Sequence, residues 1–338
     1  MNSQTLAKQG RIKKTPMVAA VIGNTLVVVA KFLGFLFTGS SALLSESIHS
    51  LADVLNQLLL LIGVARAQRK PDSTFQYGYG SERFIWALIS AVGIFFLGCG
   101  LTLYHGIFSL IHPKPVSDLS WAITILVISF VLEGVVFLIA LRSLRKTAAG
   151  KPFWRYVREE AEPGVVAVLF EDAIACLGVI LALISIGLTQ WTGQLFWDSV
   201  GSILIGILMG FFAVFLVVRN HLALVGPSIP DSVRRRVVEI IRRHPTVDKI
   251  VDMRSSVIDG ETYRIKADIK FNGRVFAGML EKKIRHDFER IKTFEDFNSF
   301  AIEYADSVLE LLGDEIDTIE SEIQKAIPQA QFLDFEAD

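Results

Sequence analysis

Cysteine is scarce in this chain. Only Cys99 and Cys176 occur in 338 residues, both inside apolar runs, so no disulfide framework is expected. Catalytic signatures are missing too. No His-Glu-x-x-His is present, which removes the helical zinc-protease reading. Tyr77-Gly78-Tyr79-Gly80 is glycine-rich but lacks the Gly-Lys-Ser/Thr ending of a phosphate loop, so it reads as a turn. Residues 1–14 are polar and basic with no apolar core before Pro16, and no cleavable signal peptide is expected. A net charge of -1 bears neither way on a nucleic-acid partner, and none is expected.

What is plentiful is apolar length. Hydrophobic residues make up 51% of the chain, and mean hydropathy is +0.46. Long uncharged runs fill the part before Arg219, whereas the remainder is dense in Lys, Arg, Asp and Glu. That asymmetry implies a helical bundle followed by a soluble module. About twenty apolar residues cross a bilayer, and six segments approach that length: 17–38, 41–67, 83–111, 119–141, 163–188 and 197–218. The expected domains are therefore a tail (1–16), a six-helix transmembrane domain (17–220) and a C-terminal domain (227–338). Three connections carry a single cation, Lys114. The others hold Lys8, Arg11, Lys13 and Lys14; Arg66, Arg69 and Lys70; Arg142, Arg145, Lys146, Lys151, Arg155 and Arg158; and Arg219. The positive-inside rule then places both termini in the cytoplasm or its topological equivalent. A multi-pass protein of the plasma or inner membrane, or of an organelle, is expected.

Span two holds the polar groups that such a helix rarely keeps. Glu46, His49, Asp53 and Asn56 are spaced three, four and three apart and share one helical face, among Leu43, Leu44, Ile48, Leu51, Val54 and Leu55. Ionisable groups at membrane depth are expensive. Imidazole and carboxylate one turn apart also suit a divalent transition metal. Glu171 and Asp172 lie in span five, and at about 1.5 Å rise per residue Asp53 and Asp172 both fall in the middle half of their spans. Glu133 is a further mid-span carboxylate. Lys31 in span one either pairs with it or snorkels. Structural ion pairs and polar glue between helices are the alternative reading of all these groups.

Other features carry less. Gly201, Gly206 and Gly210 in span six read as sites of close helix packing. Cys176, one turn from Asp172, is either a thiolate ligand or a small apolar residue. His105 and His112, near the outer end of span three, read as solvated interface histidines. Arg234-Arg235-Arg236 with Arg242-Arg243 read as a solvated helix face.

The C-terminal module reads as α/β. Asp231 starts a helix that runs to His244 before Pro245, and 261–271 alternates strictly as a half-buried strand, with 250–257 as its partner through Asp259-Gly260. Val308, Leu311, Leu312, Ile316, Ile319 and Ile323 define a helix over 305–327, stopped by Pro328, and 332–335 closes the sheet. The α-β-β-α-β order resembles a small ferredoxin-like domain with an extra charged insert at 272–300.

Six spans, His49-x-x-x-Asp53 in span two and the α/β tail resemble the cation diffusion facilitator family. The specific pieces are Gly39-Ser40-Ser41-Ala42-Leu43-Leu44-Ser45-Glu46-Ser47-Ile48-His49-Ser50-Leu51-Ala52-Asp53 and Tyr77-Gly78-Tyr79-Gly80-Ser81-Glu82-Arg83. Leu169-Phe170-Glu171-Asp172-Ala173-Ile174-Ala175, Tyr263-Arg264-Ile265-Lys266-Ala267-Asp268 and Leu311-Leu312-Gly313-Asp314-Glu315-Ile316-Asp317 look like the branch of mitochondrial zinc-transporter-like proteins. The resemblance implies a homodimeric divalent-metal/proton antiporter, with His49, Asp53 and Asp172 as metal ligands. The family's fourth ligand comes four residues before the span-five aspartate, where this chain has Val168. Glu171, Glu46, Glu133, Cys176, a water or no ligand at all remain for that place. Glu171 ranks first because it is adjacent, although a helix turns by about 100° per residue. Phe75-Gln76 stands where relatives often carry His-Pro, which implies loss of the accessory loop site. In the tail, His244 and His286 form no convincing ligand pair.

Zinc is the first expectation for the transported ion, with manganese, iron and cobalt behind it, and no permanent cofactor is expected. The expected partners are the bilayer, the metal, protons and a second copy of the chain. Two other classes remain: an intramembrane hydrolase using Asp53 and Asp172, and a non-transporting membrane scaffold.

Overall fold

The computed structural model describes residues 14–113, 116, 119–148, 152–153, 156–157, 163–260 and 262–338. Most of the 1–16 tail lies outside them. So do Lys8, Arg11, Lys13, Lys114, Lys151, Arg155 and Arg158 of the charge asymmetry. The chain divides into two compact units, Met1–Leu224 and Val225–Asp338.

Six helices in the first unit are long and apolar enough to cross a membrane. They are α1 (Lys14–Thr38), α2 (Ser41–Ala67), α3 (Glu82–Ile111), α4 (Leu119–Thr147), α5 (Pro163–Thr192) and α6 (Phe196–Val225). Large apolar side chains such as Phe37, Phe96 and Phe211 stay uncovered by protein on these helices, a surface that bilayer tails cover. The chain is thus a multi-pass integral membrane protein. Helices α4, α5 and α6 outrun the expected spans by up to seven residues, because hydropathy marks the hydrocarbon edge while the backbone ladder continues past it. Between α2 and α3, Asp72 accepts from the Tyr79 hydroxyl and from the N–H groups of Thr74 and Phe75. The Tyr79 hydroxyl and the Phe75 amide hold its carboxyl below the ordinary range. The glycine-rich segment is accordingly a pinned turn, with Gly78 at φ 84°.

Helix α3 contains a π-helical turn, Ile94–Gly100, flanked by regular helix. Alpha-helix six meets it closely: a Cβ on Gly210 would lie 2.8 Å from Cys99 Sγ, and one on Gly206 would lie 2.9 Å from the Leu103 side chain. A Cβ on Gly201 would overlap Ser185 of α5 at 1.9 Å. All three glycines therefore permit close helix contact, as expected of them in span six. His105 departs from its expected solvated state. It is half-buried, its ring edge-on to Phe35 at 6.2 Å.

Helix α2 begins at a turn on Gly39 (φ 73°), and its N-cap Ser40 accepts from the Leu43 N–H. A second acid supports that end from another helix. The carboxylate of Asp198, at the start of α6 and 2% exposed, accepts from Ser40 Oγ (2.6 Å) and from the Ser41 and Ala42 N–H groups. It satisfies amides that the first turn of a helix leaves without internal partners. The Ser45 and Ser202 hydroxyls join the same two helices at 2.6 Å.

The second unit orders as α7 (Asp231–Arg243), β1 (Val247–Val257), β2 (Tyr263–Phe271), α8 (Gly273–Met279), α9 (Glu281–Phe288), α10 (Phe294–Ala326) and β3 (Ala330–Ala337). Its sheet has the order β1-β2-β3, antiparallel between the first two strands and parallel between the last two. A parallel pair needs a long crossover, which α8 to α10 provide. Ile265, Ala267 and Ile269 alternate along β2 and pack with Val237 and Ile241 of α7 and Ile319 and Ile323 of α10. The expected α-β-β-α-β order holds. The insert at 272–300 resolves into two short helices and the first turns of α10, which starts eleven residues before the expected 305. A capping box between Thr293 and Asp296 sets that start. His244 is held by carboxylates, with Nδ1 2.8 Å from Glu315 and Nε2 3.5 Å from Glu322.

Asp198→Ala removes acceptors from three groups at the α2 terminus and is expected to cost about 1–2 kcal/mol, the worth of a helix cap. The check is the thermal midpoint of the detergent-solubilised protein. An unchanged midpoint would mean that Ser40 alone caps α2.

Candidate metal centre

Lengthwise, α2 places Glu46, His49, Ser50, Asp53, Asn56 and Gln57 in register once its first turn is fixed. The structure separates this stripe into three groups. Glu46 is fully buried and binds Lys31 of α1, Oε2 to Nζ at 3.0 Å. The same ammonium donates to Glu133 Oε1 of α4 (2.9 Å) and to Ser50 Oγ (2.9 Å). Three acceptors match the three N–H bonds of an ammonium. Of the two readings of Lys31, the ion pair is therefore observed, with Glu46 as a further partner. Nothing in sequence spacing linked Lys31 to Glu46.

His49 and Asp53 form the second group. His49 is 2% exposed, and its Nε2 lies 3.5 Å from Asp53 Oδ2. That separation is too long for a good hydrogen bond, and Nε2 has no hydrogen-bond partner. Asn56 belongs to the third group. Its Nδ2 donates to Glu171 Oε1 of α5 (2.9 Å), and its Oδ1 accepts from Ser90 Oγ of α3 (2.7 Å). One oxygen of Glu171 is thus engaged toward α2 and α3.

A cavity of about 550 Å³ joins these groups. Its polar lining is Asn24 of α1, Ser50, Asp53 and Gln57 of α2, Glu133 of α4, and Glu171 and Asp172 of α5. The lining lies near the middle of the spans: Gly23 to Val27 of α1, Ser50 to Gln57 of α2, Leu132 to Val136 of α4 and Val168 to Ala175 of α5. Asp198 and the paired serines join α2 to α6 near the start of both helices. Asp53, Asp172 and Glu171 do meet across one space, as facing spans two and five implied. Val168 lines it as well and offers no donor atom. Buried atoms without a hydrogen-bond partner include His49 Nε2, Asp172 Oδ2, Glu133 Oε2 and Gln57 Oε1. Among the described residues, no group of three or more His, Cys, Asp or Glu side chains is gathered closely enough to hold a metal ion. Cys176 is a free thiol that does not line the cavity.

Sequence reasoning missed Asn24, Gln57, Ser90 and Asp198. Asp198 carries the ordinary signal of an acid in a first helical turn. Its reach to another helix terminus leaves no mark in the sequence.

Six apolar helices around a mid-span cavity lined by Asp53, Glu133, Glu171 and Asp172 define a polytopic membrane protein with a carboxylate-lined interior. Residues 17–225, more than half of the chain, match the cation efflux transmembrane domain, and the chain belongs to that family, the cation diffusion facilitators. It is 39% identical over 328 residues to the proton-coupled zinc antiporter SLC30A9, mitochondrial, of Xenopus laevis, covering 95% of this chain and 58% of that protein. The Homo sapiens protein of the same name is 38% identical over 330 residues, covering 96% and 58%. Metal tolerance protein C4 of Arabidopsis thaliana is 37% identical over 324 residues, covering 93% and 71%. The chain thus spans 58% of the length of the zinc antiporters it matches. These similarities bear out the expected resemblance to the mitochondrial zinc-transporter-like branch.

Lys31→Met leaves Glu46 and Glu133 buried with no cation between them. A loss of about 3–5 kcal/mol is expected, as for other buried ion pairs broken on one side. The measurement is the fraction of solubilised protein that stays monodisperse after graded heating. Retention equal to wild type would remove the triad from the stabilising interactions.

Proposed function

We propose that this protein is a divalent-metal/proton antiporter with zinc as its favoured cargo. The observation that carries the proposal is the buried His49–Asp53 pair, whose Nε2 lacks a hydrogen-bond partner, beside a cavity lined by Asp53 and Asp172. His49, Asp53 and Asp172 are the assigned ligands. Glu171, Glu46 and Glu133 are the further carboxylates of the site, as ligands or in proton coupling. The naming of its relatives as proton-coupled zinc antiporters supports both the zinc and the proton halves of the reading.

The chemistry follows from the donor set. Zinc takes nitrogen and oxygen ligands in a four-coordinate site, and it binds deprotonated carboxylates and neutral imidazole. Protons and metal therefore compete for the same atoms. One access state loads metal and releases protons, and the opposite state, on the proton-rich side, reverses the exchange. Rocking of helices about a site near the midplane supplies the alternation. A single imidazole among carboxylates is harder than a two-histidine site, which leaves manganese, iron and cobalt as secondary cargo. Both termini lie on the cytoplasmic or equivalent side, consistent with Arg66, Arg69, Lys70, Arg142, Arg145, Lys146 and Arg219 at one end of the spans. The working form is a homodimer, as the family resemblance implies.

The test is uptake into proteoliposomes under an imposed pH gradient, with zinc, manganese, iron and cobalt offered separately. Zinc flux is expected to follow the gradient, to collapse when the gradient is dissipated, and to fall to background in Asp53→Ala and in Asp172→Ala. Undiminished proton-driven flux in either variant would remove that residue from the site. Absence of flux for every metal in the wild type would favour a membrane scaffold.

A further inference from the structure

The set His49, Asp53 and Asp172 lacks a fourth donor, because Val168 occupies the helical position one turn before Asp172. The other donors near the cavity are not equivalent. Glu171 has one oxygen held by Asn56, which Ser90 holds in turn. Glu46 is fully buried, does not line the cavity, and lies so near α5 that a Cβ on Gly178 would come within 2.5 Å of its Oε1. Cys176 is off the cavity as well. Glu133 shares with Glu46 one oxygen held by Lys31 and one buried oxygen without a hydrogen-bond partner, but of the two only Glu133 lines the cavity. It lines the cavity from α4, Lys31 holds its Oε1, and its Oε2 is buried with no hydrogen-bond partner.

Resting on the antiporter reading above, we propose that Glu133 supplies the fourth metal ligand, through Oε2, in place of the donor that Val168 cannot provide. The ligand set then spans three helices: His49 and Asp53 from α2, Asp172 from α5 and Glu133 from α4. An independent observation points to a cation here: the His49 Nε2 atom, on a side chain 2% exposed, lacks a hydrogen-bond partner 3.5 Å from Asp53. Lys31 has a specific part in this arrangement. Its three N–H bonds are filled by Glu46, Ser50 and one Glu133 oxygen, which leaves the second oxygen for the metal. Because the donors are not gathered on one point among the described residues, metal binding must bring them together. The cargo would thereby cross-link the three helices, and Lys31 would tie α1 to the same movement.

The experiment is isothermal titration of zinc into the full-length, detergent-solubilised protein, with gel filtration of each variant. Glu133→Gln keeps an acceptor for Lys31 but loses the anionic ligand, and zinc affinity is expected to fall by at least about tenfold, since even outer-shell losses reach that size. Adding Val168→Asp to Glu133→Gln restores a carboxylate one turn from Asp172 and is expected to recover affinity to within about threefold of wild type. A purely structural role for Glu133 would not be rescued this way. Val168→Asp alone provides the check that does not depend on Glu133→Gln folding. With Glu133 already ligating, it should change affinity by no more than about threefold, whereas a large gain would show that the fourth place was open and overturn the proposal. Wild-type affinity in Glu133→Gln, or no rescue in the double variant, would overturn it too. Asp53→Ala separates the two levels: if it loses zinc while Glu133→Gln does not, the antiporter site stands and only the fourth ligand is wrong. If Asp53→Ala keeps full affinity, the site itself fails.

Discussion

The transmembrane unit depends on a buried cation with two carboxylates. An ammonium taken out of water loses several kcal/mol of solvation, and Lys31 recovers it only because Glu46, Glu133 and Ser50 converge on Nζ from two other helices. The requirement runs both ways, since neither carboxylate tolerates that depth without the ammonium. This mutual need sets α1, α2 and α4 around a common point, and the cavity forms beside it. Where a soluble protein uses apolar burial to choose helix neighbours, the bilayer offers little preference between lipid and protein for a leucine. Polar groups with few acceptable partners then choose them instead.

The same logic operates at the other end of α2. Asp198 satisfies the first amides of that helix from α6, and the Ser45–Ser202 contact continues the seam. Alpha-helix two is therefore polar at both ends of its buried stretch for different reasons. Its start is fastened by hydrogen bonds with full partners, while further along Glu46 Oε1, His49 Nε2 and Gln57 Oε1 are buried without one. Satisfied groups hold the helix, and the unsatisfied ones keep unused hydrogen-bonding capacity. The distinction separates satisfied from unsatisfied polarity within one helix, and composition cannot make it.

Much of the fold was legible beforehand. Apolar runs of bilayer length located the six spans, because hydrocarbon admits only backbone that satisfies itself. Strict alternation over 263–271 located β2, whose buried positions Ile265, Ala267 and Ile269 repeat every second residue. Less legible were the helix that starts at Phe294, where the capping box of Thr293 and Asp296 outweighed a polar composition, and the π-turn at Ile94–Gly100, which no residue pattern marked.

For the site, sequence by itself determined which residues share a helical face and which depth they occupy, since periodicity and rise are local geometry. It therefore brought out His49, Asp53, Glu133, Glu171 and Asp172. Only the tertiary structure decided which of them are already occupied: one oxygen of Glu171 by Asn56 and one oxygen each of Glu46 and Glu133 by Lys31, with Asp172 and Glu133 lining the cavity and Glu46 off it. The reason is that hydrogen-bond capacity is spent across helices, between residues as far apart in the chain as Lys31 and Glu133. No local pattern records those pairings.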